Sequence, residues 1–334
     1  MHNLLKAEEG YIIPATFMLS SGGFRISLDR KEPGSDIDFV SHAHTDHLAA
    51  VKHSEWVLAS SQTADLIAGS YGLKPRVPDG APVPPGLKLL GAGHMLGSRQ
   101  LYVDACDSGE SVVYTGDFQM QDSRVSEKIE IPSSDIAILD STYPDPGVHF
   151  GDRSEVERDI QRWASAISRS GIVLFRAYAM GKSQELISIL NEAGMAPVVS
   201  ERIAAVCSVY KKHGAKLDYL STGSEECDSE LRGNFIGITE SGADALPVAL
   251  GVVHAKHVFT AVVTGFAKMF RFDTDMQFPL SDHADFSQSV DYINATGARK
   301  VFTYGNSAEL FAANLRSSGI DARPFTEYQC VPSL

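Results

Sequence analysis

Val40-Ser41-His42-Ala43-His44-Thr45-Asp46-His47-Leu48, VSHAHTDHL, packs three histidines and an aspartate into six positions. The residues before it, IDF, are apolar enough for a strand end. In a strand, side chains two apart share a face, so His42 and His44 point the same way. Asp46 and His47 follow where the chain must turn, with a short helix expected over 46–53. A lone histidine on an apolar strand is ordinarily a satisfied core residue. Two at period two followed by Asp-His read as metal ligands, because imidazole and carboxylate together suit zinc, manganese or iron.

One loop rarely closes a metal site, so further donors are expected at other strand ends. GAGHMLGS places His94 among glycines, after the strand LKLL. VVYTGDF ends a strand with Asp117 after Gly116. Either residue alone would read equally well as an ordinary loop residue, but beside VSHAHTDHL both become candidate ligands.

The rest of the chain bounds the function. Its 334 residues are typical of two domains, and 43% hydrophobic content supports a substantial core. A net charge of -13 argues against binding nucleic acid by bulk attraction, so a phosphate substrate would have to meet local positive charge, such as a bound cation. Cys106, Cys207, Cys227 and Cys330 form no CxxC pair, which argues against a zinc ribbon or a disulfide framework and for a reducing, cytoplasmic location. No apolar run approaches the roughly 18 residues of a membrane span, and MHNLLKAEEGY does not read as a signal peptide.

Along the chain, short strand-like runs (IDFVSHAH, EWVLAS, LKLLGAG, RQLYVDA, SVVYTGDF, DIAILDSTY) give way after 143–155 to strand-helix alternation. EVERDIQRWASAISRSG reads as a helix with Val156, Ile160, Trp163 and Ile167 on its apolar face. DFSQSVDYINATG reads as a helix capped by Asp285, with Gln288 three residues on. Gly181-Lys182-Ser183 is not a phosphate loop, since Arg176 stands where that motif needs another glycine.

HxHxDH, GHxLGS and YTGDF, in that order, resemble the metallo-β-lactamase superfamily. The resemblance implies an α/β fold, an αββα sandwich with a two-metal site at its edge. His42, His44 and His94 would hold one ion, Asp46 and His47 the other, and Asp117 would bridge them. Asp29 would orient the ligand loop through hydrogen bonds. LDSTY (139–143) and LSDHADF (280–286) further resemble the motifs that bracket the β-CASP insertion of nucleases, giving Asp140 and His283. The expected domains are therefore a discontinuous metallo-β-lactamase domain, 1–143 with 275–334, and a β-CASP insertion, 144–274. The SDHAD form is most similar to small prokaryotic exonucleases, DNA-ligase-associated or of an archaeal RNA-processing type.

This resemblance implies hydrolysis of a nucleic-acid phosphodiester, RNA or DNA and single-stranded by preference. Attack would come from hydroxide activated between two divalent ions, zinc or manganese. Asp46 and Asp140 would serve the reacting end, and His283 would contact or protonate the leaving oxygen. Lys182, Lys268, Lys211, Lys212, Lys256 and Arg271, with Arg99 and Arg176 behind them, could line a groove for the backbone. Nothing in the pattern opposes a homodimer. RNA-cutting relatives end a late strand with a histidine that completes the second ion; here VFTYGNSAEL puts Tyr304 there, which leaves that ion one protein ligand short and makes Tyr304 a candidate substrate contact. The competing classes are an inactive paralogue acting as a scaffold and a small-molecule metallohydrolase.

Overall fold

A computed structural model of the chain describes residues 18–54, 56–75, 83–222, 224–240 and 257–325. The chain divides into two compact units. The first takes residues up to Asp122, Glu127–Gly147 and everything from His283 on; the second takes Ser123–Ser126 and Val148–Asp282.

In the first unit, β1 (Met18–Ser21), β2 (Phe24–Leu28) and β3 (Ile37–Phe39) form a three-stranded sheet. Facing it is a six-stranded sheet built from β4 (Leu87–Gly91), β5 (Arg99–Val103), β6 (Val112–Tyr114), β7 (Ile136–Asp140), a late strand Lys300–Tyr304 and a last strand Ala322–Pro324. Strand alternation sorts the side chains. Val112, Tyr114, Ile136, Ile138, Phe302 and Tyr304 share one core with Ile26, Leu28 and Phe39 of the small sheet. Val113, Ala137, Leu139 and Val301 take the opposite face, against Phe286, Tyr292, Ile293, Phe311 and Leu315. Those five come from the helices Phe286–Thr296 and Ala308–Ser317. Each large apolar side chain buried this way contributes about 1.5–3 kcal/mol.

β7 is buried along its whole length because it lies between β6 and the Lys300–Tyr304 strand, parallel to both, with Asp140 in register with Tyr304. The helix after His283 starts as its sequence predicts: the Asp285 carboxylate accepts from the Gln288 amide, and the Gln288 side chain accepts from the Asp285 amide. Two local expectations fail. Residues 46–53 continue from one 3-10 turn, Thr45–His47, into turns, and the described residues of EWVLAS, 56–60, pair only through a bridge from Leu58 to Phe39. The helix that follows, α1 (Ser61–Tyr71), is capped by Ser60, whose side chain accepts from the Thr63 amide.

The second unit is a sheet of six strands joined in parallel throughout: β8 (Ile172–Ala177), β9 (Val198–Val199), β10 (Leu220–Ser221), β11 (Ile236–Glu240), β12 (Val258–Val263) and β13 (Met276–Phe278). Parallel pairs need crossovers, which α3 (Lys182–Glu192) and α4 (Glu201–Lys212) supply, while α2 (Arg153–Ile167) leads into β8. Because β13 pairs with β12, the second unit runs on to Asp282, so the boundary expected at 274/275 falls eight residues early.

The fully buried stripe of α2 is Arg153, Glu157, Ile160 and Ala164, whereas Val156, Trp163 and Ile167 are half-buried. Two charged residues face inward because they are paired there. Arg153 meets Glu185 at 2.9 Å and Glu157 at 3.5 Å, and Glu157 accepts from Arg124.

Candidate metal centre

β3 runs into Val40 and Ser41, and the 3-10 turn Thr45–His47 (η1) then folds the chain back. His42 is fully buried and His44 half-buried. His42 Nε2 lies 3.1 Å from His44 Nδ1, which lies 3.2 Å from His94 Nε2. Asp117 Oδ2 stands 3.5 Å from His42 Nε2 and 3.8 Å from His94 Nε2. Four donors about 2.0–2.1 Å from a tetrahedral ion are separated by about 3.3–3.4 Å. The observed separations bracket that edge, so the four side chains fit a divalent cation in both chemistry and spacing.

Glycines make the convergence possible. A Cβ on Gly93, whose φ is +77°, would lie 2.3 Å from the Gln119 carbonyl oxygen. One on Gly116, at φ +53°, would lie 2.6 Å from Ser41 Cβ. Residues just before His94 and Asp117 must therefore lack a side chain.

Asp117 divides its two oxygens. Oδ2 faces the three histidines, while Oδ1 lies 3.4 Å from His47 Nε2 and 3.4 Å from the Tyr304 hydroxyl. Asp46, largely exposed, stands at the rim, with Oδ2 3.6 Å from His47 Nε2.

Behind the ligand loop, Asp29 is the only described non-glycine residue with positive φ, at 56°. Its Oδ1 accepts from the Ser41 amide at 2.6 Å. Its Oδ2 accepts from Ser41 Oγ, His47 Nδ1 and the Tyr114 hydroxyl, each at 2.7 Å. With its proton given to Asp29, Ser41 Oγ can accept from His42 Nδ1 at 2.9 Å. Both imidazoles are thereby turned so that Nε2 faces the site.

Electrostatics agree with this division. Burial, then the neighbouring imidazoles, hold His42 well below the usual histidine range, in the neutral form that ligates. Against the desolvation of burial, Asp117 and Asp29 raise His47 to about 10, and a cation would compete for the place of that proton. Burial raises Asp117 to about 6, against the pull of His47.

On the other side of Asp117, His283 Nδ1 is 2.8 Å from Asp140 Oδ2, and His283 Nε2 is 4.0 Å from Asp117 Oδ2. Asp117, Asp140 and His283 also lie close enough to hold an ion. The 2.8 Å separation, however, is that of a charge-assisted hydrogen bond and is short for neighbouring ligands. Asp140 is fixed in turn by Thr142, whose amide and hydroxyl donate to Oδ1 at 2.9 and 2.7 Å.

The sequence reading missed Ser41, Tyr114 and Gln119, whose Nε2 donates to the His283 carbonyl at 3.0 Å. Only Tyr114 carried a signal, being a polar-tipped residue on the inward phase of a strand.

The basic residues fare differently. Lys182, read as a substrate contact, is buried; its Nζ binds Asp282 at 2.6 Å and the Leu280 carbonyl at 2.7 Å, so its charge is neutralised inside the second unit. Arg99 is bound to Glu127. Lys268 is exposed and, with Trp163, Met276 and Phe278, lines a cleft of about 700 Å³ within the second unit. Lys211, Lys212 and Arg271 are exposed, Arg176 is half-buried, and Lys256 lies outside the described residues.

No protein-family model matches the chain. A probable DNA ligase of Opitutus terrae is 30% identical over 298 residues, which is 85% of this chain and 28% of that protein. The transcription termination factor FttA of a Lokiarchaeum species is 31% identical over 147 residues, 42% of this chain and 23% of that one. An RNase J-like protein of Methanocaldococcus jannaschii is 26% identical over 188 residues, 47% and 43% respectively. The chain thus spans less than half the length of each of these relatives. Among solved structures, a protein of unknown function from Enterococcus faecalis V583 superposes with a TM-score of 0.55 over 84% of this chain and 78% of that one, at 11% identity, a likeness of fold alone. No described helix is long and apolar enough to cross a membrane.

Proposed function

This chain belongs to the β-CASP branch of the metallo-β-lactamase superfamily, and from that premise we propose that it is a metal-dependent phosphodiesterase acting on nucleic acid. The observation that carries the proposal is the sharing of Asp117 between a His42–His44–His94 cluster and an Asp140–His283 pair. In the finer form of the proposal, the first unit is the αββα sandwich, the second is the β-CASP insertion, and the substrate is a single strand cut from an end. Relatives named as an RNase J-like protein and a probable DNA ligase support nucleic acid as the substrate class. The buried cysteines Cys106, Cys207 and Cys227, none of them in a disulfide, suit a reducing, cytoplasmic compartment.

His42, His44, His94 and Asp117 would hold one divalent ion, zinc by donor type; Asp46, His47 and Asp117 would hold a second. When bound, such a pair supplies Lewis acidity that makes water a nucleophile near neutral pH and offsets phosphate charge. Asp29 and Ser41 keep the imidazoles of His42 and His47 in the ligating orientation. Asp140 holds His283 with Nε2 turned toward Asp117, where it can reach a phosphate oxygen or give a proton to the leaving oxygen. Asp140 also stabilises the imidazolium that such a proton requires. An acid that must both donate and be recharged needs a fixed partner of this kind.

The test uses single- and double-stranded DNA and RNA, labelled at each end, with zinc or manganese and His44→Ala and Asp117→Ala controls. Cleavage by the wild-type chain and its loss in both variants is the expected result. A metal-loaded chain that cuts none of the four substrates refutes the proposal.

A further inference from the structure

We infer that the Tyr304 hydroxyl oxygen is a protein ligand of the second cation, an inference that rests on the two-ion reading above. Tyr304 ends its strand beside Asp140, and its ring is buried in the core between the two sheets, 5.0 Å from Tyr114. The side chain is thus held with its oxygen at the floor of the site, where a mobile substrate contact would instead need to be open.

Distances favour coordination. A hydroxyl donating to a carboxylate prefers about 2.5–2.7 Å. Tyr304 stands 3.4 Å from Asp117 Oδ1, the same separation that His47 Nε2 keeps from that oxygen. Both match the edge of about 3.3–3.4 Å between neighbouring ligands of one tetrahedral ion. Asp117 Oδ1 therefore has two neighbours at ligand spacing, one an imidazole and the other a phenol.

The phenol is placed by packing. Its ring lies 5.0 Å from that of Tyr114, and Tyr114 donates to Asp29 Oδ2, the oxygen that also accepts from His47 Nδ1. Asp29 thus holds His47 directly and, through Tyr114, the wall against which Tyr304 packs, as partners behind metal ligands commonly do. When the phenol binds as phenolate, its proton leaves to solvent and the cation takes its place. The second ion then has His47, Asp117 and Tyr304 from the buried side, with Asp46 closing from the rim. It is not one protein ligand short.

The test reads bound metal. Wild-type, Tyr304→Phe and Tyr304→His chains are dialysed against zinc over a range of free concentrations, and ions per chain are measured. The expected result is two ions in the wild type. Tyr304→Phe should keep the first and weaken the second by at least the roughly 10–100-fold that losing an outer partner costs. Tyr304→His should restore the second. Phenylalanine preserves the ring and its packing, and thermal melts check that it does. In chains loaded with iron(III), a visible phenolate-to-iron absorption should be present in the wild type and absent in Tyr304→Phe. A Tyr304→Phe chain that binds the second zinc ion as tightly as wild type overturns the inference while leaving the two-ion reading intact. A wild-type chain that binds no zinc, or whose zinc content ignores His44→Ala, overturns that reading and the inference with it.

Discussion

Asp29→Asn is the most informative single change in the first unit. Asparagine tolerates the positive φ at this position, so the backbone drops out of the comparison. What remains is one buried carboxylate that accepts four hydrogen bonds of 2.6–2.7 Å. The amide can turn its oxygen toward only one side. Its best orientation keeps the three donors on Oδ2 and sets an NH2 group against the Ser41 amide. That orphaned N–H costs about 1–3 kcal/mol, and three bonds weakened from charged to neutral cost about 1 kcal/mol each. The expected loss is about 4–6 kcal/mol of folding stability, read by urea denaturation in the presence of chelator. Zinc affinity at His47 should fall by about 10–100-fold, read by competition with a chromogenic chelator, and the ion held by His42, His44 and His94 should weaken less. A variant within 1 kcal/mol of wild type and unchanged in zinc binding would mean that Asp29 does not organise the loop in solution.

Lys182→Met should destabilise the chain by about 3–5 kcal/mol, because it removes the buried ammonium that pairs with Asp282 at 2.6 Å. If Lys182 served substrate instead, nucleic-acid affinity would fall with stability unchanged. Gly116→Ala should cost about 1–3 kcal/mol and lower zinc affinity, since the new methyl is driven into Ser41; wild-type binding by this variant would contradict the close approach. Burial raises the thiols of Cys106 to about 12 and Cys207 to about 11. Their contribution to stability is complete below the unfolded thiol value, about 8.5, and is lost as pH rises toward the folded values, at about 1.4 kcal/mol per pH unit for each thiol. Denaturation midpoints should therefore fall between about pH 8.5 and pH 10.5, and Cys106→Ala should flatten that slope; an unchanged slope would argue against burial of the thiol.

Much of the site could be read from the sequence because its donors crowd one short stretch. His42 and His44 come together there, but past the end of β3 at Phe39, so the loop and not strand alternation brings them together; glycine before His94 and before Asp117 announces a close approach. Asp140 and His283, 143 residues apart, could be paired only through family resemblance. Ser41 and Tyr114 were hidden because a serine beside a histidine and a tyrosine in a strand have many uses. What failed was burial of charge. Arg153, Glu157 and Lys182 look like solvated residues until their partners on other elements are known, so the buried stripe of α2 and the role of Lys182 were both misjudged. The boundary near residue 275 failed similarly, since a three-residue strand is visible only through its pairing with β12.

The shared carboxylate has a consequence for the order in which the protein is made. Asp117 meets Tyr304 across 187 residues of chain, and Asp29 meets Tyr114 across 85. On a ribosome, His44 emerges 260 residues before Tyr304 (304 minus 44). At about 5–20 residues per second that is an interval of roughly 13–50 s. Through that interval the histidine loop is a competent but unfinished chelator, able to take any thiophilic or imidazole-seeking ion within reach. Fidelity of metal choice then depends on when the ion arrives as much as on the finished geometry. Chains refolded before metal is added should carry a cleaner complement than chains refolded in its presence.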